Sequence, residues 1–497
     1  MKTKVLIVGS GFSSLAASCY LAKAGFKVTI FEKNTSIGGR ARIFKRDGFK
    51  FDMGPTWYWM PDVFERFFGD FDKTPSDYYK LEKLSPAYKV FFDTLDFITI
   101  PDNFDEICKI FEETEKGSSV YLKKFIKSAQ FNYEVAIKDL VYKPGQSILE
   151  LITPVTAKRA HQFFMSIRQQ VRRNIKNEKL IQILEFPVLF LGAKPSNTPS
   201  FYNFMNYADF GLGTWHPKGG MFEVVKAMAS LAESLGVEIK TNQNVSKINV
   251  EKSSANGIIV NDELVSADII LSGADYHHTE SLLPKTDRQY SEKYWSNRTF
   301  APSSLLFYIG IDKKLKNVEH HTLFFDASFD EHAVSIYDKP SWPEKPLFYG
   351  SFPSITDSSF APKGKEAAIF LIPLAPGIED TAELREKYFD QIIDRFEKIT
   401  NQKVKDDILF KESFCVNDFI EDYNSYKGNA YGLANILTQT AFLRPNIKSK
   451  KVKNLFFTGQ LTVPGPGVPP ALISGKIAAS LIVNESIKPK ERAARII

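Results

Sequence analysis

The sequence predicts an α/β fold in which a parallel-sheet domain is interleaved with a second, mixed α+β domain. Three observations carry that expectation. At the N-terminus an apolar strand, a glycine turn, a small-residue helix and a second strand follow one another in residues 5–32. The same strand–helix rhythm returns in residues 214–272 and again in 452–480. Between these stretches the rhythm is lost, and helical patterns or aromatic-rich strands replace it. A chain of 497 residues has room for two or three domains with a large apolar interior.

Residues 5–8 form a short, fully apolar strand, GSGFSS fills 9–14, and the helix pattern ends at Gly25. The second strand, 28–31, is closed by Glu32. This is a Rossmann-like βαβ dinucleotide unit. Gly9 permits the tight turn. Gly11 lets the backbone approach a pyrophosphate, whose charge meets the helix N-terminus. Phe12 and Ser13 follow in the turn, and Lys33 follows Glu32, which would accept hydrogen bonds from a ribose. The third fingerprint position holds Ser14 instead of Gly, still small enough for close helix–strand packing.

The continuation separates FAD from NAD. In KNTSIGGRAR, Gly38 and Gly39 offer backbone amides along a pyrophosphate, and Arg40 adds a planar cation. An NAD domain has no need of this extension. In FKFDMGPTWYW, Gly54 and Pro55 make a bend that can run near a flavin ring. Trp57, Tyr58 and Trp59 then face a substrate cavity or simply pack in a core.

The domain division follows. Residues 1–59, 211–275 and 436–497 are read as three segments of an FAD-binding domain. Residues 60–210 are a largely helical substrate or membrane-facing segment, and 276–435 a substrate-domain sheet. In the first of these, residues 161–186 read as a helix carrying Arg168, Arg172 and Arg173 beside Phe163, Phe164 and Ile167. Such a helix can lie on a bilayer or present a solvated face over a core. Val245 opens a strand of the returning cofactor block and joins the cofactor candidates. SSLLFYIGI, HTLFFDAS, PLFYGSFPS and EAAIFLIPLA are strands of a sheet walling a cavity.

Composition narrows the partners. The 42 Phe and 20 Tyr residues can line a deep pocket as well as fill a core. A net charge of +6, widely spread, does not call for nucleic acid and is compatible with an anionic membrane surface. The three cysteines lie far apart, which fits a reducing cytoplasm, and no histidine spacing supports a metal site. The N-terminal apolar run is too short for a signal peptide, and no apolar stretch reaches the roughly 18 residues of a membrane span.

Near the other end, residues 452–457 read as the last parallel strand, with Gly459 at its carboxyl end, where ligands bind in open α/β sheets. TVPGPGVPP, 462–470, is stiffened by prolines, while its glycines keep it thin enough to pass a planar ring. A small-residue helix from 471 onward points its N-terminus at the cofactor. The loop is read as a flavin clamp, against the alternative of a surface turn.

Together, the stretches 4–44, 48–68, MNYADFGLGTWHPKGGM and NLFFTGQLTVPGPGVPPALISGK resemble the carotenoid desaturases of the bacterial phytoene desaturase type, over essentially the whole chain. The resemblance implies FAD, a long polyene substrate, peripheral attachment to the cytoplasmic membrane, and oxygen or a quinone as electron acceptor. It carries FAD contacts onto Gly9, Gly11, Glu32, Gly39, Arg40, Gly459 and Val468, with Gly467 beside the last. Many flavoproteins of the wider group have Gly-Asp at the end of the last strand. Here Gln460 follows Gly459, so that contact is a neutral hydrogen bond or absent.

The chemistry implied is removal of a hydride from an allylic carbon and a proton from its neighbour. Asp209, in NYADFG, is the candidate proton handler, with a helix cap or turn aspartate as the alternative. Phytoene, taken toward neurosporene or lycopene, is the first substrate considered. A 1-hydroxycarotenoid end group, flavin-dependent isomerisation and, more remotely, amine oxidation stay open.

Overall fold

The apolar run Lys4–Val8 (β1) forms the middle of a five-stranded parallel sheet, where both faces are covered and an uninterrupted apolar strand satisfies burial. The computed structural model describes residues 2–138 and 140–486. After β1 come α1 (Phe12–Lys23), β2 (Lys27–Phe31), α2 (Met221–Ser234), β3 (Glu238–Lys240), β4 (Ile269–Ser272), β5 (Leu455–Phe457) and α3 (Val468–Ser486). The strand order is β5-β4-β1-β2-β3, with every pair parallel. Distant stretches of chain therefore share one sheet, in the α/β fold class the returning rhythm implies.

Close packing explains the small residues of α1 and α3. A Cβ added at Gly475 on α3 would lie 2.4 Å from the Ser13 carbonyl oxygen and 2.9 Å from the Ala17 nitrogen, so the two helices touch backbone to backbone. The departure at Ser14 is met from the other side. A Cβ at Gly273, just past β4, would lie 2.0 Å from Ser14 Oγ, so Gly273 supplies the room that glycine at position 14 would have given.

Two boundaries differ from expectation. β5 begins at Leu455, because Asn454 uses its side chain as a strand edge: Nδ2 donates to the Ala255 and Asp268 carbonyls and Oδ1 accepts from the Ala255 amide. α3 begins at Val468, so Pro469 and Pro470 belong to its first turn, where a missing N–H breaks no helical bond.

The second sheet has seven strands in the order Ile408–Phe414, Ser303–Ile311, Glu366–Leu374, Phe348–Ser351, His321–Phe324, Tyr88–Asp93 and Asp96–Ile100. All four aromatic-rich stretches singled out above supply strands to it. The hairpin Tyr88–Ile100 is an addition to a stretch read as largely helical. It docks because Tyr88–Asp93 pairs in parallel with His321–Phe324. A three-stranded antiparallel sheet, Val245–Glu251, Ser254–Val260 and Glu263–Ser266, packs beside the parallel one.

The single helix expected over residues 161–186 is three: His161–Phe164, Ile167–Arg172 and Glu178–Glu185. Ser166 and Asn177 each cap a new start, accepting from the Gln169 amide and from the Lys179 and Leu180 amides. Two of the three arginines are tied to carboxylates: Arg168 pairs with Asp330 at 2.6 Å, Arg172 with Glu178 at 2.7 Å, and both reach buried Glu185 at 3.4 Å, while Arg173 stays exposed. The continuous basic face expected of one long helix is therefore broken up, with Arg168 and Arg172 engaged in ion pairs. No helix among the described residues is long and apolar enough to cross a membrane.

Candidate functional site

β1, β2, β4 and β5 all end toward one cavity of about 620 Å³, which continues to the face of the seven-stranded sheet. Gly9, Gly11, Phe12, Ser13, Glu32, Lys33, Gly38, Gly39, Arg40, Gly54, Pro55, Val245, Gly459, Gln460, Gly467 and Val468 line it together. The turns after β1 and β5 meet there: a Cβ at Gly459 would lie 3.2 Å from Ser13 Oγ.

The glycines have distinguishable roles. Gly9 has φ +86° and Gly459 φ +108°, regions where an L side chain is strained. Gly11 has an ordinary backbone, and a Cβ there would meet nothing within 4 Å. No protein atom crowds position 11, and the open space beside it belongs to the cavity. Gly54 is held by packing, since its Cβ would lie 2.4 Å from the Arg40 carbonyl oxygen.

Charge is sparse and fixed at this end. Glu32, buried at the tip of β2, accepts from the Ser10 amide at 3.0 Å, the Ser10 hydroxyl at 2.7 Å and the Asn34 amide at 2.9 Å. It thereby locks the glycine turn to β2. Lys33 turns its amine toward Asn424 Oδ1 at 3.4 Å. Arg40 donates from Nη2 to Ser425 Oγ at 3.0 Å and the Asn429 carbonyl at 3.1 Å, and its buried Nε has no partner. Burial lowers its pKa, partly offset by the nearby Asp275 charge. In the amide orientation that satisfies both ends of Gln460, its oxygen accepts from Arg40 Nη2 at 3.1 Å. Open space at Gly11, a helix N-terminus and a buried guanidinium with a free donor fit a diphosphate-bridged dinucleotide.

The opposite end is aromatic. Trp57, Trp59, Phe186, Phe190, Tyr349 and Leu323 line it. Tyr58 points the other way into the core, its hydroxyl 2.8 Å from that of Tyr79 and its ring stacked on Phe64. Of the charged side chains on this side, Arg168 and Lys194 are tied in ion pairs with Asp330 and Asp338 at 2.6 and 2.7 Å, and Glu150 accepts from the Gly145 and Gln146 amides at 2.8 and 2.9 Å. Asp209 is not part of the cavity wall. It is buried, accepts from the Tyr88 hydroxyl at 2.7 Å, and has its pKa pushed up to about 8 by desolvation, which the Tyr88 bond only partly opposes. Tyr88 in turn packs against Trp57, with ring centroids 5.5 Å apart, so Asp209 reaches the cavity only through two aromatic rings.

Asp275, Thr56 and Tyr349 also line the cavity without having been singled out in the sequence, and His321, buried behind Tyr349, was weighed there only as a metal ligand and set aside. Asp275 stands just past the carboxyl end of β4, a position that could have marked it. The other three meet only in the folded chain. Adjacent His320 and His321 gather with His216, at ring-centroid separations of 4.5 and 4.7 Å. Among the described residues no group of His, Cys, Asp and Glu is arranged to hold a metal ion.

Residues 12–483 match the family described as flavin containing amine oxidoreductase. The carotenoid 3,4-desaturase of Haloarcula japonica is 40% identical over 97% of this chain and 98% of its own length. The 4,4'-diapophytoene desaturase (4,4'-diaponeurosporene-forming) of Staphylococcus haemolyticus is 32% identical over 97% and 99%. Among solved structures, an oxidoreductase from Methanosarcina mazei aligns with a TM-score of 0.64 at 18% identity, covering 95% of this chain and 99% of that one, which speaks for the fold alone. The chain belongs to the flavin containing amine oxidoreductase family, as an FAD-dependent oxidoreductase related to the carotenoid desaturases.

Proposed function

We propose that this protein desaturates a linear carotenoid, using FAD held at the glycine-lined end of the cavity. The observation that carries this reading is the continuity of one cavity from that end to a wall of tryptophan, phenylalanine and leucine. FAD, when bound, supplies the two-electron oxidant. The cofactor contacts are assigned to the glycines of the β1 and β5 turns, Arg40 at the diphosphate and Glu32 at the ribose. The aromatic wall would hold a polyene without polar contacts, since each buried CH₂ contributes about 0.8 kcal/mol. It would also exclude water from the cation left by hydride loss. A small amine would find little to bind on that wall.

Phytoene is one substrate of this class. Oxidation of the 3,4 bond, near the chain end and beside an existing polyene, is the favoured one, because identity is 40% to the 3,4-desaturase and 32% to the diapophytoene desaturase. A 1-hydroxycarotenoid end group falls within the same reading.

The membrane side is assigned to residues 148–164, in place of the expected helix 161–186 with its arginines. Leu149, Ile152 and Phe164 are 72%, 62% and 81% exposed. Leu151 and Phe163, next to them in the chain, line the cavity. A substrate dissolved in lipid would enter there, with the protein on the cytoplasmic face and oxygen or a quinone reoxidising the cofactor. The test is incubation of FAD-loaded protein with carotenoids in liposomes, with oxygen or a quinone present. A red shift of the polyene absorption supports the reading, and unchanged spectra with both phytoene and a carotenoid saturated at its 3,4 bond refute it.

A further inference from the structure

One polar cluster interrupts the aromatic wall, where the seven-stranded sheet meets the bend after Pro55. Tyr349 Oη lies 2.9 Å from Thr56 Oγ1 and 2.6 Å from His321 Nδ1. Tyr349 and Thr56 line the cavity, beside Gly54 and Pro55 of the cofactor end. His321 is fully buried behind them, its ring stacked on Trp57 with centroids 4.0 Å apart and planes 10° apart. Its Nε2 has no hydrogen-bond partner. Leaving a buried polar atom bare is destabilising, and such atoms ask for an explanation beyond the fold.

Burial, with the neighbouring His216, holds His321 well below the ordinary histidine range. The ring is therefore neutral, and one nitrogen has a free lone pair. Behind it, His320 and then His216 follow, and Asp357 Oδ2 lies 3.3 Å from His216 Nε2. Burial also lowers the pKa of His320. Asp357 is held below the usual carboxylate range: burial opposes this, but the His216 bond and the Gly219 and Ser359 amides outweigh it. Protonating His321 therefore works against its burial and His216, so the ring holds a proton only transiently, and the Asp357 carboxylate stands at the far end of this row of imidazoles.

We propose that Tyr349 is the proton acceptor of the reaction and that His321 positions and relieves it. This rests on the desaturation reading above. The substrate first yields a hydride, with its electron pair, to the oxidised flavin. The C–H bond on the adjacent carbon then breaks, and its electron pair becomes the second bond of the new C=C. That proton passes to Tyr349 Oη, as the hydroxyl's own proton moves to His321 Nδ1. The substrate has then lost one hydride and one proton, and the imidazole has gained the proton. At rest the hydroxyl must donate to Nδ1, so His321 carries its hydrogen on the bare Nε2.

The tautomer is measurable without turnover. Nitrogen-15 NMR of the histidine-labelled, FAD-loaded protein is expected to show His321 Nδ1 unprotonated, with its signal shifted in Tyr349→Phe. A protonated Nδ1 overturns the proposal. Tyr349→Phe is expected to retain FAD at the wild-type ratio, while anaerobic flavin reduction by a carotenoid slows about 100-fold. Reduction within about threefold of the wild-type rate, far below a general base's usual contribution, overturns the relay and leaves the desaturation reading standing. Wild-type protein that holds FAD but is reduced by no carotenoid refutes that reading, and the relay with it.

Discussion

The two ends of the cavity are built on opposite principles. At one end, backbone does the work: glycines, helix N-termini and the half-buried Arg40 leave room for a charged, rigid molecule. At the other, side chains do: aromatic rings fill the wall, and what they recognise is shape and apolarity. On the proposed reading, the contrast teaches that a cofactor site can be fixed by where Cβ atoms are missing, whereas a polyene site is fixed by bulk that many sequences can supply.

The sharpest way to break the contrast is Gly11→Val. No protein atom lies within 4 Å of the added Cβ, so the fold should tolerate it. FAD affinity should fall by at least about 100-fold, or ~2.7 kcal/mol, as read by flavin fluorescence, with the melting temperature nearly unchanged. An equal loss of fold and FAD would mean that the glycine serves packing. Arg40→Met comes next. Removing one charge-assisted contact, worth roughly 1.5–3 kcal/mol, should weaken FAD binding about 10- to 100-fold, with the loss shrinking at high salt.

At the aromatic end, replacing Leu149 and Phe164 together by serine should lower binding to anionic vesicles about tenfold, since two exposed apolar side chains no longer insert. FAD affinity in solution should not change. Vesicle binding that survives the double replacement would move the membrane face elsewhere.

Asp209 lies outside both ends and serves as the control. Its folded pKa of about 8 stands above the ordinary carboxylate value. Between about pH 4 and 8 the unfolded chain has lost this proton while the folded chain keeps it, so wild-type stability falls as pH rises through that window. Asp209→Asn removes the effect. Urea unfolding should show the variant gaining on the wild type by up to ~1.4 kcal/mol per pH unit, with FAD affinity unchanged. A variant that loses substrate-driven flavin reduction instead would return Asp209 to the chemistry.

The sequence made the glycine end readable because its physics is local. Gly9, Gly11 and Glu32 fall within one βαβ unit, and the Gly459 turn announces itself by a strand that stops. Even there, the compensation of Ser14 by Gly273 was hidden, because the pair meets across the sheet and not along the chain. The aromatic end was readable only as an excess of rings. Trp57 and Trp59 reach the cavity while Tyr58 turns to the core, an alternation that depends on where the bend docks. Tyr349 and His321 come from neighbouring strands and Thr56 from a distant loop, so no spacing could join them. The break of residues 161–186 into three helices was signalled by Ser166 and Asn177, good capping residues inside a pattern read as continuous.

Anaerobic titration of the FAD-loaded protein with a carotenoid saturated at its 3,4 bond tests the central claim most directly. If the turns after β1 and β5 close on one flavin whose reactive edge faces the apolar cavity, the flavin absorbance bleaches in step with the new double bond, one for one. Protein that takes up FAD yet keeps its oxidised spectrum with every carotenoid offered, or that takes up no FAD at all, contradicts it.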